Sequence, residues 1–140
     1  MVENNQHETD CRIVTNDDMP QVLHLWQTCF DDTMKFVLWY FARYWKAEHT
    51  IGIFERNNGV DTLQASAQVI PYNLQIRNTN LPCGYIVGVD TSFEFLRDRF
   101  HLSKLDEKND RDLSPLATGA LTNGTTTVEM ASAYATFGNG

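Results

Sequence analysis

The chain has 140 residues, of which 42% are apolar and 21% charged, a composition typical of one globular domain with its own core. The net charge of -7, without any basic stripe, argues against a nucleic-acid-binding surface. The acidic start is unlike a secretory signal, and no apolar run reaches the roughly 20 residues that cross a bilayer, so we expect a cytoplasmic protein without a membrane span.

The first elements are predicted to be a short strand and a capped helix. Residues 1–11 are polar and are predicted to be a disordered N-terminus, and residues 12–14 are a strand candidate. Thr15 precedes Asp18 by three residues, the spacing of a capping box, and Pro20 suits the first turn of a helix. Apolar residues then recur at helical spacing: Met19, Val22, Leu23, Trp26, Cys29 and Phe30.

A second helix is predicted over residues 33–45, with Asp31 or Asp32 as its cap. It carries large apolar side chains over most of its circumference: Phe36, Val37, Leu38, Trp39, Tyr40, Phe41, Tyr44 and Trp45. Such a helix needs cover on more than one side. We interpret it mainly as core and keep the alternative that residues 33–45 mediate self-association through one face.

A β-hairpin is predicted next, from a strand over residues 50–55 to a strand over residues 63–69. Asn58 and Gly59 between them form the strongest short hairpin signal. In the second strand the odd positions are apolar and the even positions are mostly polar, which predicts one buried and one exposed face.

The antiparallel meander is predicted to continue after Pro71, which indicates a bulge or a sheet edge. A strand over residues 72–77, a turn over residues 78–80 and a strand over residues 81–89 follow. The order β-α-α-β-β-β predicts an α/β (α+β) half-domain with an antiparallel meander, followed by a mainly helical C-terminal tail.

The tail is predicted to hold two helices on either side of a charged loop. A short helix begins near Phe93, and residues 104–112 are a charged loop without periodicity. Thr126 and Glu129 have the spacing of a capping box, and Gly138 is placed as the C-cap of the last helix. This pattern of loop, helix and glycine exit predicts a truncated chain.

Three cysteines, Cys11, Cys29 and Cys83, are too widely spaced for a metal motif and fit free thiols in a reducing compartment. The histidines also lack metal-ligand spacing, so we expect no metal.

Three stretches share a pattern with a known family: DDMPQVLHLW at residues 17–26, IPYNLQIR at residues 70–77 and CGYIVGVDT at residues 83–91. Together with the order of the elements, they make residues 12–91 similar to the N-terminal half of a GNAT-fold N-acetyltransferase. The most similar branch is bacterial and includes the Eis-like amine acetyltransferases. The resemblance implies acetyl-CoA as cofactor, with Val87, Gly88, Val89 and Thr91 holding its pantetheine and thioester through backbone groups.

The same resemblance implies an acid and a base, for which Tyr85 and Asp90 are the candidates in this chain. The family also places the cofactor's diphosphate on a glycine-rich loop at the next helix N-terminus. Here residues 96–100 contain no glycine and include Asp98, whose charge would repel a phosphate. The sequence therefore predicts a weakened cofactor site.

A second resemblance covers residues 88–140 and is carried by GVDTSFEFL at residues 88–96, LATGALTNG at residues 116–124 and EMASAYATFGNG at residues 129–140. These stretches are similar to a class A penicillin-binding protein transpeptidase, between its Ser-x-Asn and Lys-Thr-Gly motifs. That family needs a serine with a lysine three residues on, and no serine of this chain has one.

The two resemblances overlap at residues 88–95 and predict a chimera, with a GNAT-like part at residues 12–91 and a transpeptidase-like part at residues 92–140. Our preferred interpretation is a truncated acetyltransferase-like protein without catalytic activity. The alternatives are an active acetyl-CoA-dependent N-acetyltransferase, a peptidoglycan transpeptidase fragment and a non-enzymatic self-association module.

Overall fold

The computed structural model describes residues 8–110 and 121–139. Within these ranges the fold is mixed, with four strands and four α-helices. In chain order these are β1 (Glu8–Ile13), α1 (Met19–Cys29), α2 (Met34–Arg43), β2 (Thr50–Asn57), β3 (Val60–Ile76), β4 (Thr79–Thr91), α3 (Phe93–Arg99) and α4 (Thr127–Asn139).

The strands form one sheet in the order β1-β2-β3-β4, and each neighbouring pair is antiparallel. This confirms the predicted fold class and meander. The hairpin between β2 and β3 turns at Asn58 and Gly59, whose φ angles of 53° and 80° suit the predicted two-residue turn.

The next hairpin corrects the prediction of a turn over residues 78–80. The chain turns at Arg77 and Asn78, and β4 already begins at Thr79. Arg77 itself takes the left-handed conformation, with φ of 55°. The tight turn adds two pairs, Gln75 with Asn80 and Ile76 with Thr79, whose β4 residues were predicted to lie in the turn.

The predicted alternation along the second strand of the first hairpin is wrong, because a bulge interrupts it. Ile53 pairs with Ala65 but Phe54 pairs with Leu63, so Gln64 is an extra residue on β3. The bulge places Leu63 on the same face as the polar Ser66 and Gln68. All three side chains are buried, with exposed fractions of 6%, 6% and 2%.

β3 continues through Pro71 without interruption, while its pairing with β2 ends at Gln68. Pro71 therefore lies on a free edge, one of the two positions that the sequence predicted, but the predicted break between the strands over residues 63–69 and 72–77 is wrong. Beyond Gln68, residues 69–76 of β3 pair only with residues 79–86 of β4. We call this two-stranded segment the ribbon.

Helices α1 and α2 cover one face of the sheet and form the main core with it. Its largest members are Leu25, Trp26, Tyr40, Phe41 and Phe54. On the opposite face, Phe95 and Phe100 lie over β1, β2 and β3 beside a cavity of about 270 Å³.

The start of α1 confirms the first predicted capping pair. The backbone N–H and the hydroxyl of Thr15 both donate to Oδ2 of Asp18, at 2.7 and 2.8 Å. Arg12 forms an ion pair with the same carboxylate at 2.7 Å. The Arg12 hydrogen bond is the main reason that the pKa of Asp18 is lowered to about 2.

Two boundaries in the first half differ from prediction. β1 begins at Glu8, so the prediction of disorder is wrong for residues 8–11, which pair with β2, while residues 1–7 lie outside the described residues. α2 is capped by the hydroxyl of Thr33, which accepts from the Phe36 N–H at 3.4 Å, and not by Asp31 or Asp32.

The core role predicted for the second helix applies to one of its faces. Val37, Tyr40 and Phe41 are buried. Trp45 is partly buried against the core, and the other large side chains are between 42% and 56% exposed: Met34, Phe36, Leu38, Trp39 and Tyr44.

The tail follows the predicted pattern up to its last helix. The described part of the charged loop, residues 104–110, has neither helix nor strand, and residues 111–112 lie outside the described residues. The second capping box is confirmed, since the N–H and hydroxyl of Thr126 donate to Glu129 at 2.8 Å each. α4 continues through Gly138 to Asn139, so Gly138 is not the C-cap.

Candidate functional site

β4 carries a β-bulge that is central to the candidate site. The register passes from Ser66 opposite Asp90 to Gln68 opposite Val87, so two residues of β4, Gly88 and Val89, lie opposite one residue of β3. Gly88 has φ of 60°, which favours glycine. A bulge leaves the extra residue out of the ladder, so backbone groups of β4 become available to another partner.

Trp26 of α1 lies directly against the bulge. A Cβ at Gly88 would be 2.3 Å from Cζ3 of the indole, so a side chain cannot fit there unless the ring moves. The ring is held in place by a hydrogen bond from Nε1 to Asp32 at 3.0 Å and by Phe30 and Tyr40, each with its centroid 5.0 Å away. The bulge is therefore packed against a rigid aromatic group.

Asp90 follows the bulge and is buried, with 1% of its surface exposed. Its Oδ1 accepts hydrogen bonds from the backbone N–H of Ser66 at 2.9 Å and from the Ser66 hydroxyl at 2.6 Å. Its Oδ2 is buried and makes no hydrogen bond among the described residues. Burial raises the pKa of Asp90 to about 7, against the opposing effect of the Ser66 hydrogen bonds.

Gln68 forms a second buried polar group on the same face. Its Oε1 accepts a hydrogen bond from the hydroxyl of Tyr40, and its Nε2 has no partner within the described part of the chain. Burial, and secondarily the nearby Tyr85, raise the pKa of Tyr40 to about 12. Tyr40 is therefore a hydrogen-bond donor that stays protonated.

The two predicted acid/base candidates lie in different environments on either side of the bulge. Tyr85 precedes it and is 59% exposed, with its ring 6.4 Å from that of Tyr72. Asp90 follows it and is enclosed by the core. Only Tyr85 offers its polar atom to solvent without rearrangement.

The four residues predicted to contact the cofactor form the bulge and its flanks. Gly88 and Val89 are the bulge, Val87 precedes it and Thr91 ends β4. The Thr91 carbonyl accepts a weak hydrogen bond from the Cys29 thiol at 3.4 Å. Burial raises the pKa of that thiol to about 11, which makes it inert as a nucleophile at neutral pH.

Beyond β4 the chain enters α3 directly. The Ser92 hydroxyl accepts from the Phe95 N–H at 3.2 Å and donates to Gln64 at 2.5 Å. An open cleft of about 530 Å³ lies between this turn and α1, with His24 and Glu94 on its walls. Phe93 and Phe95 are buried.

Sequence reasoning missed Trp26, Tyr40, Ser66 and Gln68 as parts of this site. A glycine inside a strand pattern is a signal for a bulge, so Gly88 could have been interpreted in this way. The sequence does not show that Ser66 and Gln68 of β3 face the core. Their direction is set by the bulge at Gln64, earlier in the same strand.

A family model described as an acetyltransferase (GNAT) domain matches residues 10–114, well over half of the chain. The chain belongs to the GNAT acetyltransferase family. The GNAT match includes residues 92–114, for which the sequence had also suggested a transpeptidase segment, and it gives no support to that segment or to a chimera. Comparison with curated proteins and with solved structures found no match.

GNAT domains typically use acetyl-CoA. Within residues 8–110 and 121–139, no group of three or more His, Cys, Asp or Glu side chains could hold a metal ion. None of the helices described for this chain is long and apolar enough to cross a membrane.

Proposed function

We propose that this GNAT domain binds acetyl-CoA through the backbone of β4 at the Gly88 bulge. The observation that carries the proposal is the bulge itself, with its positive φ and its contact with Trp26. β4 is the last strand of the described sheet, so the side of it away from β3 is open to a ligand. An extended pantetheine arm can then exchange hydrogen bonds with the strand as another strand would.

We further propose that the protein makes few stabilising contacts with the diphosphate of the cofactor. Tight diphosphate sites use glycine-rich loops whose amides approach the phosphate closely. Here Ser92 caps a seven-residue helix, its next residue Phe93 is buried, and Glu94 adds negative charge in the first turn. The expected affinity for acetyl-CoA is therefore weak and comes from the pantetheine end.

Acyl transfer should be absent or very slow in this chain. A general base must reach the proton that it removes, but the carboxyl of Asp90 is buried and its Oδ1 accepts two hydrogen bonds from Ser66. Tyr85 is exposed and is placed to protonate a leaving thiolate, but this leaves the base unassigned. This favours binding without turnover, in the cytoplasm where acetyl-CoA is present.

A ligand pair tests the binding proposal directly. Acetyl-CoA and S-acetylpantetheine, which lacks the nucleotide and its diphosphate, are titrated against the full chain by NMR. We expect similar weak affinities and shifts centred on residues 87–91. Much tighter binding of acetyl-CoA would reveal a phosphate site and contradict the proposal, as would the absence of binding by either compound.

Turnover is tested separately, by following release of free CoA in the presence of a panel of primary amines. We expect no rate above the uncatalysed reaction. A saturable rate would support the alternative of an active N-acetyltransferase. Binding and turnover are thus decided by different measurements.

For residues 92–140 we propose a scaffold role without acyl-enzyme chemistry. This proposal rests on the missing Ser-x-x-Lys and on the contact of Glu129 with the Ser103 hydroxyl, at 2.6 Å, which joins α4 to the segment after α3. Truncation and fusion stay predictions. Fluorescent penicillin should not label the chain, and covalent labelling would instead support the transpeptidase alternative.

A further inference from the structure

The ribbon is exposed on both faces, is mostly apolar on one of them and carries no charged residue. Residues 69–76 and 79–86 contain none of the 29 charged Asp, Glu, Lys and Arg residues of the chain (18 acidic and 11 basic). Seven of their large apolar side chains are between 38% and 64% exposed: Val69, Tyr72, Leu74, Ile76, Leu81, Tyr85 and Ile86. Large uncharged patches of this kind mark interaction surfaces.

The register shows that the exposed side chains occupy both faces of the ribbon. Tyr72 pairs with Cys83 and Leu74 with Leu81, so these four residues share the face that also carries Gln68. Val69 pairs with Ile86 on the opposite face. A two-stranded ribbon of this length is marginally stable by itself, so it gains from cover on both faces.

A second uncharged aromatic surface lies beside the ribbon on α2. Phe36 and Trp39 are exposed with their rings 5.9 Å apart, and Trp39 contacts Tyr44 at 5.3 Å. Tyr40, on the same helix, donates a hydrogen bond to Gln68, the residue of β3 that directly precedes the ribbon, and its ring stacks on the exposed Phe36 with the centroids 6.2 Å apart. The exposed face of α2 and the ribbon are therefore neighbours.

We infer that the ribbon and the exposed face of α2 form the interface of a homodimer, in which the ribbon of each copy packs on α2 of the other. The inference does not depend on the proposed cofactor. One chain carries both surfaces, so a two-fold axis satisfies both at once and closes the assembly. Tyrosine and tryptophan are enriched at such interfaces.

Area and charge both favour a second copy as the occupant. The exposed large apolar side chains of the ribbon and α2 offer on the order of 1,000 Å² per copy, more than the roughly 800 Å² that each partner buries in a standard interface. Two chains of net charge -7 repel each other, and an uncharged surface is where they approach with least repulsion. Pro71 and Pro82 lie in the ribbon strands and disfavour open-ended pairing along its edges.

Sedimentation velocity and light scattering over a wide dilution series, with reductant present, test the dimer. We expect a mass that rises from 16.0 kDa towards twice that value. Tyr72→Thr and Ile86→Thr change opposite faces of the ribbon, and Trp39→Ala changes α2. Each should weaken the dimer by about tenfold or more, because aromatic and aliphatic anchors dominate interface energies.

Val60→Thr is the matched control, because Val60 is as exposed as Ile86, at 64%, but lies at the other end of β3. It should leave the dissociation constant unchanged. A mass of 16.0 kDa at every concentration would overturn the inference. Equal weakening by the control and by the ribbon variants would also overturn it, because association would then not be specific to this surface.

Cysteine reactivity provides an internal test with the unaltered chain. Cys83 lies in the ribbon and Cys11 in β1, and both are exposed free thiols. Modification of Cys83 by a maleimide should slow as the protein concentration rises, while the rate at Cys11 stays constant. Rates that are independent of concentration at both sites, measured where the protein is a dimer, would place the interface elsewhere and refute the proposal.

Discussion

At the residue scale, the contact between Gly88 and Trp26 determines whether the β4 bulge can form. Gly88→Ala should destabilise the protein by about 3 kcal/mol or more, because the new Cβ adds a clash with a buried ring to the strain of a positive φ. Urea unfolding measures the loss. The same variant should lose the NMR shifts that either acetyl ligand produces at residues 87–91.

Gly59 supplies the control for this prediction. It also has a positive φ, of 80°, but nothing lies within 4 Å of a Cβ placed there. Gly59→Ala should cost only about 1 kcal/mol, the conformational part, and leave ligand binding intact. Equal losses of stability in the two variants would show that Trp26 does not constrain the bulge.

Asp90 should make stability depend on pH in the sense opposite to an ordinary surface carboxyl. Its pKa is raised from 3.8 to about 7 in the folded protein. Its stabilising contribution to the free energy of unfolding is therefore fully present below about pH 3.8 and is lost as the pH rises through about 7. Asp90→Asn keeps an oxygen for Ser66 and removes the titration. When the pH is raised from acid to neutral, the free energy of unfolding of the variant should increase by on the order of 2 kcal/mol relative to that of the original protein.

Urea unfolding at a series of pH values measures this difference. Parallel profiles for the original protein and the variant would contradict the raised pKa. Asp18 should give a pH dependence of opposite sign, because its pKa is lowered from 3.8 to about 2. Its contribution to the free energy of unfolding is present above about pH 3.8 and is lost as the pH falls through about 2.

At the scale of elements, β3 should show two levels of stability along one continuous strand. Residues 60–68 pair with β2 around the bulge at Gln64, and residues 65–68 also pair with β4 in part, whereas residues 69–76 pair with β4 alone. Amide hydrogens of the ribbon should exchange faster in dilute protein, because opening it breaks fewer contacts than opening the sheet. Hydrogen exchange followed by mass spectrometry measures this, and uniform protection along β3 would contradict the division.

At the scale of the whole molecule, the net charge of -7 should oppose association of the chain with itself. Added salt screens that repulsion, so the dissociation constant of the dimer should fall as the salt concentration rises. Sedimentation at several salt concentrations measures the trend. Weakening by salt would instead indicate an interface held by ion pairs, in contradiction to the uncharged ribbon.

Local signals in the sequence were reliable where neighbouring residues alone decide the structure. The Asn58-Gly59 turn, the capping pairs at Thr15 and Thr126 and the amphipathic α1 all follow from short-range hydrogen bonds and helical spacing. The boundaries of β1 and of the second hairpin turn were less reliable, because pairing with a neighbouring strand extended both.

By itself the sequence determined the order of the elements, the antiparallel meander and the resemblance to GNAT acetyltransferases, because these depend on periodicity, turn chemistry and motifs along the chain. Only the tertiary structure decided which side of β3 is buried, that Asp90 is enclosed while Tyr85 is exposed, and that Trp26 supports the bulge. These features depend on β-bulges and on contacts between residues distant in the chain. A one-residue shift of register reverses the face of every following side chain, and no local pattern records it.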